Sequence, residues 1–167
     1  MEKGFVIFDF DGTLTIQQDN LNMWGVLWKR VKKDRVGSSL YSQFHNGLIT
    51  RERWFWETEQ EFIGKIDRSL VRSVAKSIFL RNNAEALFEV LTEKGYKLHI
   101  LSGGIGTIIN EILASNRKYF EFISANDIIF NATGEMVSLE MSPYDYEGKA
   151  LYIEQLVQRT GIRYEDI

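Results

Sequence analysis

The sequence predicts an α/β fold, with a parallel sheet whose first strand is followed by an inserted helical module. Residues 4–10 form a short apolar run, which is typical of a parallel strand buried on both faces. Apolar residues then recur at helical spacing from about residue 20 to residue 80, and helix and strand patterns alternate beyond that point. This alternation indicates a parallel sheet covered by helices.

The composition is that of an ordinary globular protein. Of the 167 residues, 44% are hydrophobic and 26% are charged, and this length suits one domain or one domain with a small insertion. The net charge of −3 gives no indication of nucleic-acid binding. The absence of cysteine excludes disulfides, thiolate metal sites and cysteine nucleophiles. The N-terminal apolar run is too short for a signal peptide or a membrane span, so we expect a cytoplasmic protein without a membrane partner.

The helical module is predicted to contain four helices. Asn20 is the N-cap candidate of the first helix, and Gly37 is predicted to interrupt the helical pattern before the second helix. Thr50 and Asp67 are the N-cap candidates of the third and fourth. The predicted spans are residues 20–33, 38–46, 50–62 and 67–78. We therefore expect a helical domain at residues 16–80 and an α/β domain formed by residues 1–15 and 81–167.

The α/β part is predicted to continue after residue 80 with a helix that Asn82 or Asn83 caps and Gly95 closes. A strand, a helix, a second strand, a β-hairpin and a final helix follow. Their predicted spans are residues 96–101, 105–114, 120–124, 128–130 paired with 136–141, and 148–159. The segment 102–104, with the sequence Ser-Gly-Gly, is predicted to be the loop between the first of these strands and its helix.

The strongest chemical feature is the motif Asp9-Phe10-Asp11-Gly12-Thr13-Leu14-Thr15, which ends the first strand. Ligands of open α/β sheets bind at the carboxyl ends of the strands, and residues two apart in an extended chain share a face. Gly12 permits the tight turn that exposes both carboxylates. Because adjacent acids need a compensating cation or proton, and hard oxygen ligands suit Mg²⁺, we expect a metal site here rather than a simple turn.

Two weaker features lie at the same predicted edge of the sheet. Ser102 and the amides of the two following glycines could hold a phosphate, although Ser-Gly-Gly is also a common loop sequence. Lys149 begins the last predicted helix, where a lysine taken alone is typically exposed to solvent. A cation there could, however, hold both phosphoryl oxygens and the nucleophile.

Together these motifs resemble the haloacid dehalogenase (HAD) superfamily, in particular its phosphoserine phosphatase-like branch. The resemblance extends from Gly4 to the end of the chain and implies a Rossmann-like core with a helical cap inserted after the first strand. It implies that Asp9 attacks phosphorus to form an aspartyl phosphate, and that Asp11 protonates the leaving alcohol and then activates water. Ser102 and the Gly103 amide would bind the phosphoryl group, and Lys149 would stabilise its charge.

The resemblance also implies a Mg²⁺ cofactor, held by the side chain of Asp9 and the backbone carbonyl of Asp11. The family places a further Asp-rich motif on the next strand, but this sequence ends at residues 163–167, where that strand would begin. We therefore expect a C-terminally truncated core in which Gly4 to Phe10 forms an exposed edge, prone to self-association. Hydrolysis by this 167-residue chain is expected to be weak or absent.

The expected substrate is a small phosphorylated metabolite. Gln18 stands where phosphoserine phosphatases carry a glutamate that reads the substrate amine, so the sequence leaves the ester unspecified. Arg51 and Arg53 are candidates for contacting a substrate anion, with a solvent-facing role as the alternative. Two other functions stay open: a non-catalytic fragment that acts through self-association or partner binding, and a phosphotransferase or phosphomutase.

Overall fold

A computed structural model describes residues 3–17 and 19–167 of the protein. In chain order its elements are β1 (Gly4–Phe8), β2 (Thr15–Ile16), α1 (Met23–Arg30), α2 (Asp34–His45), α3 (Arg51–Phe62), α4 (Arg68–Ala75), β3 (Phe79–Leu80), α5 (Ala84–Glu93), β4 (Tyr96–Ile105), α6 (Gly106–Leu113), β5 (Phe120–Phe130), β6 (Met136–Glu140) and α7 (Gly148–Thr160). Short 3₁₀ segments occur at Ala114–Tyr119 and Tyr164–Asp166. No helix in the described part of the chain is both long and apolar enough to cross a membrane.

The main sheet has the strand order β1-β4-β5-β6. The first three strands are parallel, and β6 adds to β5 in antiparallel orientation. The predicted α/β class is therefore confirmed, with one antiparallel strand beside the parallel core. Phe8 of β1 lies opposite Ile100 of β4. The residues that follow Phe8 and those that follow Ile100 therefore lie at the same edge of the sheet.

The helices α1 to α4 form an insertion that leaves and rejoins the sheet at one place. The two-residue strands β2 and β3 pair there, with Thr15 opposite Leu80. This ribbon lies at the boundaries predicted for the helical module, and the division into two domains stays a prediction. The insertion and the sheet share one hydrophobic cluster, in which Leu27 and Phe62 are packed together with Ile100.

Two predictions about the helical insertion are wrong. Asn22, rather than Asn20, is the N-cap of α1, and its side chain accepts a hydrogen bond from the Gly25 amide. Gly37 does not interrupt the helical structure but lies inside α2, where an added Cβ would come within 2.3 Å of the Trp28 ring. The glycine is therefore explained by the close approach of α1 and α2.

The strands β4 and β5 are longer than predicted. The prediction of a loop at residues 102–104 is wrong, because β4 continues through these residues to Ile105. The register of β4 against β5 is irregular between Leu101 and Ile105. The two predicted strands at 120–124 and 128–130 are one continuous strand, β5. Local composition could not show this, because the strand is held through its neighbours on both sides.

The side chains of β1 are more covered than predicted, although β1 is an edge strand of the described sheet. Phe5 is buried in a small cluster with Leu101, Tyr152 and Leu156, and Ile162 and Ile167 pack against this cluster. The other side chains of β1 are partly buried. The predicted place of β1 at the edge of the sheet is confirmed, although its side chains are partly covered, and self-association through β1 stays a prediction.

Candidate active site

Asp9 and Lys149, which are far apart in sequence, form an ion pair in the structure. Asp9 follows β1 directly, and Lys149 is the second residue of α7. The Lys149 Nζ donates a hydrogen bond to the Asp9 Oδ1 over 2.7 Å. The side chain of Lys149 is 35% exposed and that of Asp9 is 39% exposed, so both remain accessible to a ligand. The ion pair holds one carboxylate oxygen of Asp9 and leaves its Oδ2 available.

Asp11 occupies a more buried position two residues further on. The turn after Asp9 is held by the Phe10 carbonyl, which accepts hydrogen bonds from the amides of Leu14 and Thr15, at 3.0 and 3.2 Å. Gly12 has a φ of 75°, which favours glycine. The backbone N–H of Met23, the first residue of α1, donates to the Asp11 Oδ2 over 3.2 Å.

The environment of Asp11 suits a carboxyl group that exchanges a proton near neutral pH. Burial raises the pKa of Asp11 from its ordinary value of 3.8 to about 6. The Met23 N–H acts in the opposite direction, and the nearby carboxylate of Asp9 adds to the increase. A general acid works best when its pKa is close to the working pH, so the position of Asp11 fits acid–base chemistry.

The segment Ser102 to Gly104 lies at the end of β4 and is firmly held. Ser102 is fully buried, and its Oγ accepts a hydrogen bond from the Gly104 amide over 3.0 Å. The Gly103 carbonyl accepts hydrogen bonds from the Trp24 Nε1, at 2.8 Å, and the Asn126 Nδ2, at 2.9 Å. The hydroxyl proton of Ser102 is not used in this bond and can be donated to a ligand.

A cavity of about 310 Å³ adjoins Asp11 between the β2 segment and α1. Its wall combines apolar side chains with charged ones, and Asp9 does not line it. The apolar lining residues are Ile16, Leu21, Val26 and Ile78, and the charged ones are Asp11, Asp19, Lys29 and Arg30. Small-molecule sites commonly have this size and this mixture of surfaces.

Arg51 and Arg53, two of the three residues predicted to contact substrate, do not lie in one group. Arg51 is turned toward the sheet, where its Nη2 donates to the Asn126 Oδ1 over 3.0 Å and to the Ser142 carbonyl over 2.9 Å. Arg53 is exposed, pairs with Glu57 and stacks on Trp56 within the same helix. Gln18 lies outside the described residues.

Three buried polar residues near Gly103 were not predicted from the sequence to belong to the site: Asn126, Ser142 and Asp145. The Asn126 Nδ2 binds the Gly103 carbonyl, and an added Cβ at Gly103 would lie 2.7 Å from the Asp145 Oδ1. The signal for Asp145 was an acid four residues before Lys149. No local pattern marks Asn126, because it reaches this place only through the pairing of β4 with β5.

The ligands for a metal ion at this edge are few but of the appropriate kind. Within residues 3–17 and 19–167, no group of three or more acidic or histidine side chains is arranged to hold a metal ion. Mg²⁺, however, is usually bound by one or two carboxylates and completed by water and substrate phosphate. The carboxylate of Asp9 and the backbone carbonyl of Asp11 fit that mode of binding.

Comparison with known proteins agrees with this architecture. The sequence model of the family described as haloacid dehalogenase-like hydrolase matches residues 6–167. Comparison with curated proteins gives no significant match. Similar solved structures include a HAD family hydrolase from Salmonella enterica serovar Typhi, with a TM-score of 0.82 and 17% identity. The chain aligns over 99% of its own length and spans 55% of the length of that protein.

Two phosphoserine phosphatase structures are also similar. One, a phospho-aspartyl intermediate analogue, has a TM-score of 0.76 and 20% identity, with 99% of this chain and 76% of that chain covered. The other, from T. onnurineus, has a TM-score of 0.69 and 20% identity, with coverages of 94% and 72%. At these identities the likeness establishes a shared fold, while the family match covers nearly the whole sequence. The chain therefore belongs to the haloacid dehalogenase-like hydrolase family.

Proposed function

We propose that this protein is a Mg²⁺-dependent phosphatase that hydrolyses a small phosphate monoester through an aspartyl-phosphate intermediate on Asp9. The observation that carries the proposal is the 2.7 Å contact between the Lys149 Nζ and the Asp9 Oδ1. Asp11, whose pKa burial raises to about 6, lies two residues away. Membership of a hydrolase family and similarity in fold to phosphoserine phosphatases support the same conclusion.

In the first step, the Oδ2 of Asp9 attacks the phosphorus atom and the bond between phosphorus and the ester oxygen breaks. Asp11 donates its proton to the departing oxygen, so the product leaves as a neutral alcohol. The pKa of about 6 supports this role, because a useful fraction of Asp11 is protonated at neutral pH. This step leaves a phosphoryl group on Asp9 and a negative charge on Asp11.

In the second step, the Asp11 carboxylate accepts a proton from a water molecule as that water attacks the phosphorus atom. The bond between phosphorus and Asp9 breaks, and inorganic phosphate and a free Asp9 carboxylate are produced. Lys149 and the hydroxyl of Ser102 hold the phosphoryl oxygens through both steps, together with the Gly103 amide. All three groups belong to the predicted set of site residues.

Mg²⁺ bound to the Asp9 side chain and the Asp11 carbonyl would neutralise part of the phosphoryl charge. We expect slow hydrolysis by this chain, with Asp9 as its accessible nucleophile.

The cavity beside Asp11 is proposed to receive the alcohol portion of the substrate. Its volume of about 310 Å³ suits a small metabolite. We further propose that residues 16–80 act as a cap over this site, and that the exposed Arg53 contributes at most to its outer surface. A cytoplasmic location, without a nucleic-acid or membrane partner, completes the proposal.

The proposal is tested with p-nitrophenyl phosphate, comparing the wild-type chain and Asp9→Asn in the presence of Mg²⁺ and of EDTA. We expect slow, Mg²⁺-dependent phosphate release by the wild type and none above background by Asp9→Asn, whose amide is a poor nucleophile. Asp34→Asn is the matched control, because Asp34 is exposed at the start of α2 and does not line the cavity. Equal release by Asp9→Asn and the wild type would exclude the assignment.

A further inference from the structure

A buried polar network joins the helical insertion to both phosphate-binding parts of the site. It runs from Arg51, the first residue of α3, through Asn126 to Gly103, and through Asp145 to the loop that leads to Lys149. We propose that Arg51 is a positioning residue, whose contacts hold residues 102–104 and 145–149 in the arrangement needed for phosphoryl transfer. The catalytic consequence rests on the proposed function, and the structural consequence does not.

The first part of the network is the cluster of acceptors around the Arg51 guanidinium. Its Nη2 lies 3.0 Å from the Asn126 Oδ1, 2.9 Å from the Ser142 carbonyl and 3.4 Å from the Asp145 Oδ2. The Arg51 side chain is 22% exposed and that of Asp145 is 7% exposed. Within the described residues Arg51 is the cation paired with Asp145, so its removal would leave a buried carboxylate uncompensated.

The second part is Asn126, which connects Arg51 to the phosphate-binding segment. Asn126 is 1% exposed and uses both ends of its amide. Its Oδ1 accepts from Arg51 and from the Ser142 amide, at 2.9 Å, while its Nδ2 donates to the Gly103 carbonyl, at 2.9 Å, and to the Asp145 Oδ2, at 3.3 Å. A shift of Arg51 would therefore be transmitted to the Gly103 peptide.

The third part connects Asp145 to Lys149. The Asp145 Oδ1 accepts a hydrogen bond from the Tyr146 amide over 2.8 Å, and the Asp145 carbonyl accepts one from the Gly148 amide over 2.9 Å. These contacts fix the turn from which α7 begins. The Asp145 carboxylate also lies so close to Gly103 that an added Cβ would be 2.7 Å from its Oδ1. The network thus holds the phosphate segment and the Lys149 turn against each other.

The insertion holds the Gly103 carbonyl from a second direction, through the Trp24 Nε1 of α1 at 2.8 Å. This contact does not involve Arg51, so we expect an Arg51 variant to keep the insertion docked on the sheet while the two segments become less well positioned. Misplacement of catalytic groups by about 1 Å can lower a rate by about 100-fold. We therefore expect the loss to appear mainly in kcat, because Arg51 contacts protein groups rather than the substrate.

The test compares the full chain with Arg51→Ala, Arg51→Lys and the matched control Arg53→Ala. Arg53 lies two residues away in the same helix, but it pairs with Glu57 and stacks on Trp56 at the exposed surface. The first readout is hydrogen–deuterium exchange of the amides in 102–104 and 145–149. We expect about tenfold faster exchange in Arg51→Ala, no change in Arg53→Ala, and partial protection in Arg51→Lys, which keeps the charge without the planar fork.

The second readout is hydrolysis of p-nitrophenyl phosphate. Arg51→Ala should lower kcat by about 10- to 100-fold with less than about a threefold change in KM, and Arg51→Lys should restore part of the loss. Unchanged exchange in both segments for Arg51→Ala would overturn the proposal, as would a change in KM alone. Full activity of Asp9→Asn would instead overturn the proposed function and leave the exchange result standing.

Discussion

Asp11→Asn is predicted to stabilise the metal-free protein at pH 8 but not at pH 4. The pKa of Asp11 is about 6 in the folded protein and is expected near 3.8 in the unfolded chain, mainly because of burial. The folded state therefore holds the proton more tightly. The contribution of Asp11 to the free energy of unfolding of the wild type therefore falls as the pH rises from about 4 to about 6, because the unfolded chain loses this proton first. Above that range the contribution is constant.

The magnitude follows from the difference of about two pH units between these pKa values. At about 1.4 kcal/mol per unit the upper limit is about 3 kcal/mol, and partial exposure to solvent reduces the expected effect to about 1–2 kcal/mol. The asparagine Oδ1 can still accept the hydrogen bond from the Met23 amide, which is 3.2 Å long in the native protein. The substitution thus removes the buried charge and keeps the contact.

The assay is urea unfolding of the wild type and the variant in EDTA at both pH values. Asp19→Asn serves as the control, because the Asp19 side chain is 73% exposed. The reasoning would be refuted if the wild type and Asp11→Asn differed in free energy of unfolding by the same amount at pH 4 and at pH 8.

Three further substitutions test the geometry of the site and of the fold. Gly103→Ala places a Cβ 2.7 Å from the Asp145 Oδ1 and should lower kcat for p-nitrophenyl phosphate by about tenfold or more; unchanged kcat would contradict this. Lys149→Ala should lower kcat by about 100- to 1,000-fold in the same assay, whereas Lys94→Ala, at the exposed C-cap of α5, should leave it nearly unchanged. Gly37→Ala drives a Cβ into the tryptophan ring of α1 and should reduce the free energy of unfolding in urea by about 1–3 kcal/mol.

The sequence was sufficient to place the main chemical groups because they stand at the ends of regular elements. Asp9 follows a clear apolar strand, and Lys149 begins a helix that is preceded by a loop. Since the carboxyl ends of parallel strands share one edge, topology places Asp9 and Ser102 together, whereas the meeting of Lys149 with Asp9 is implied only by the resemblance to the family. The structure adds the 2.7 Å contact between them.

The supporting network could not be predicted in the same way. Arg51, Asn126 and Asp145 are brought together by the docking of α3 against the end of the sheet, and no short motif contains them. From the sequence Arg51 is a candidate either for contacting a substrate anion or for facing solvent, whereas in the structure its partners are protein groups. Such interactions depend on side-chain orientation across three separate elements, which local patterns do not specify.

The misread glycines show a similar limit. Gly37 has the signal of a helix break, but its absence of a side chain serves a close contact with Trp28. Gly103 and Gly104 have the signal of a loop, but they lie in an extended strand with irregular pairing. Glycine indicates either unusual backbone conformation or close approach, and the two cannot be distinguished without the neighbouring element.

The most direct test of the central claim is to identify the residue that carries the phosphoryl group. The wild-type chain is incubated with p-nitrophenyl phosphate and Mg²⁺, quenched, reduced with borohydride and digested for mass spectrometry. Because borohydride converts an aspartyl phosphate to homoserine, the account predicts homoserine at position 9 only when substrate is present. Homoserine at another aspartate, or an unmodified Asp9 under conditions in which phosphate is released, would contradict the account.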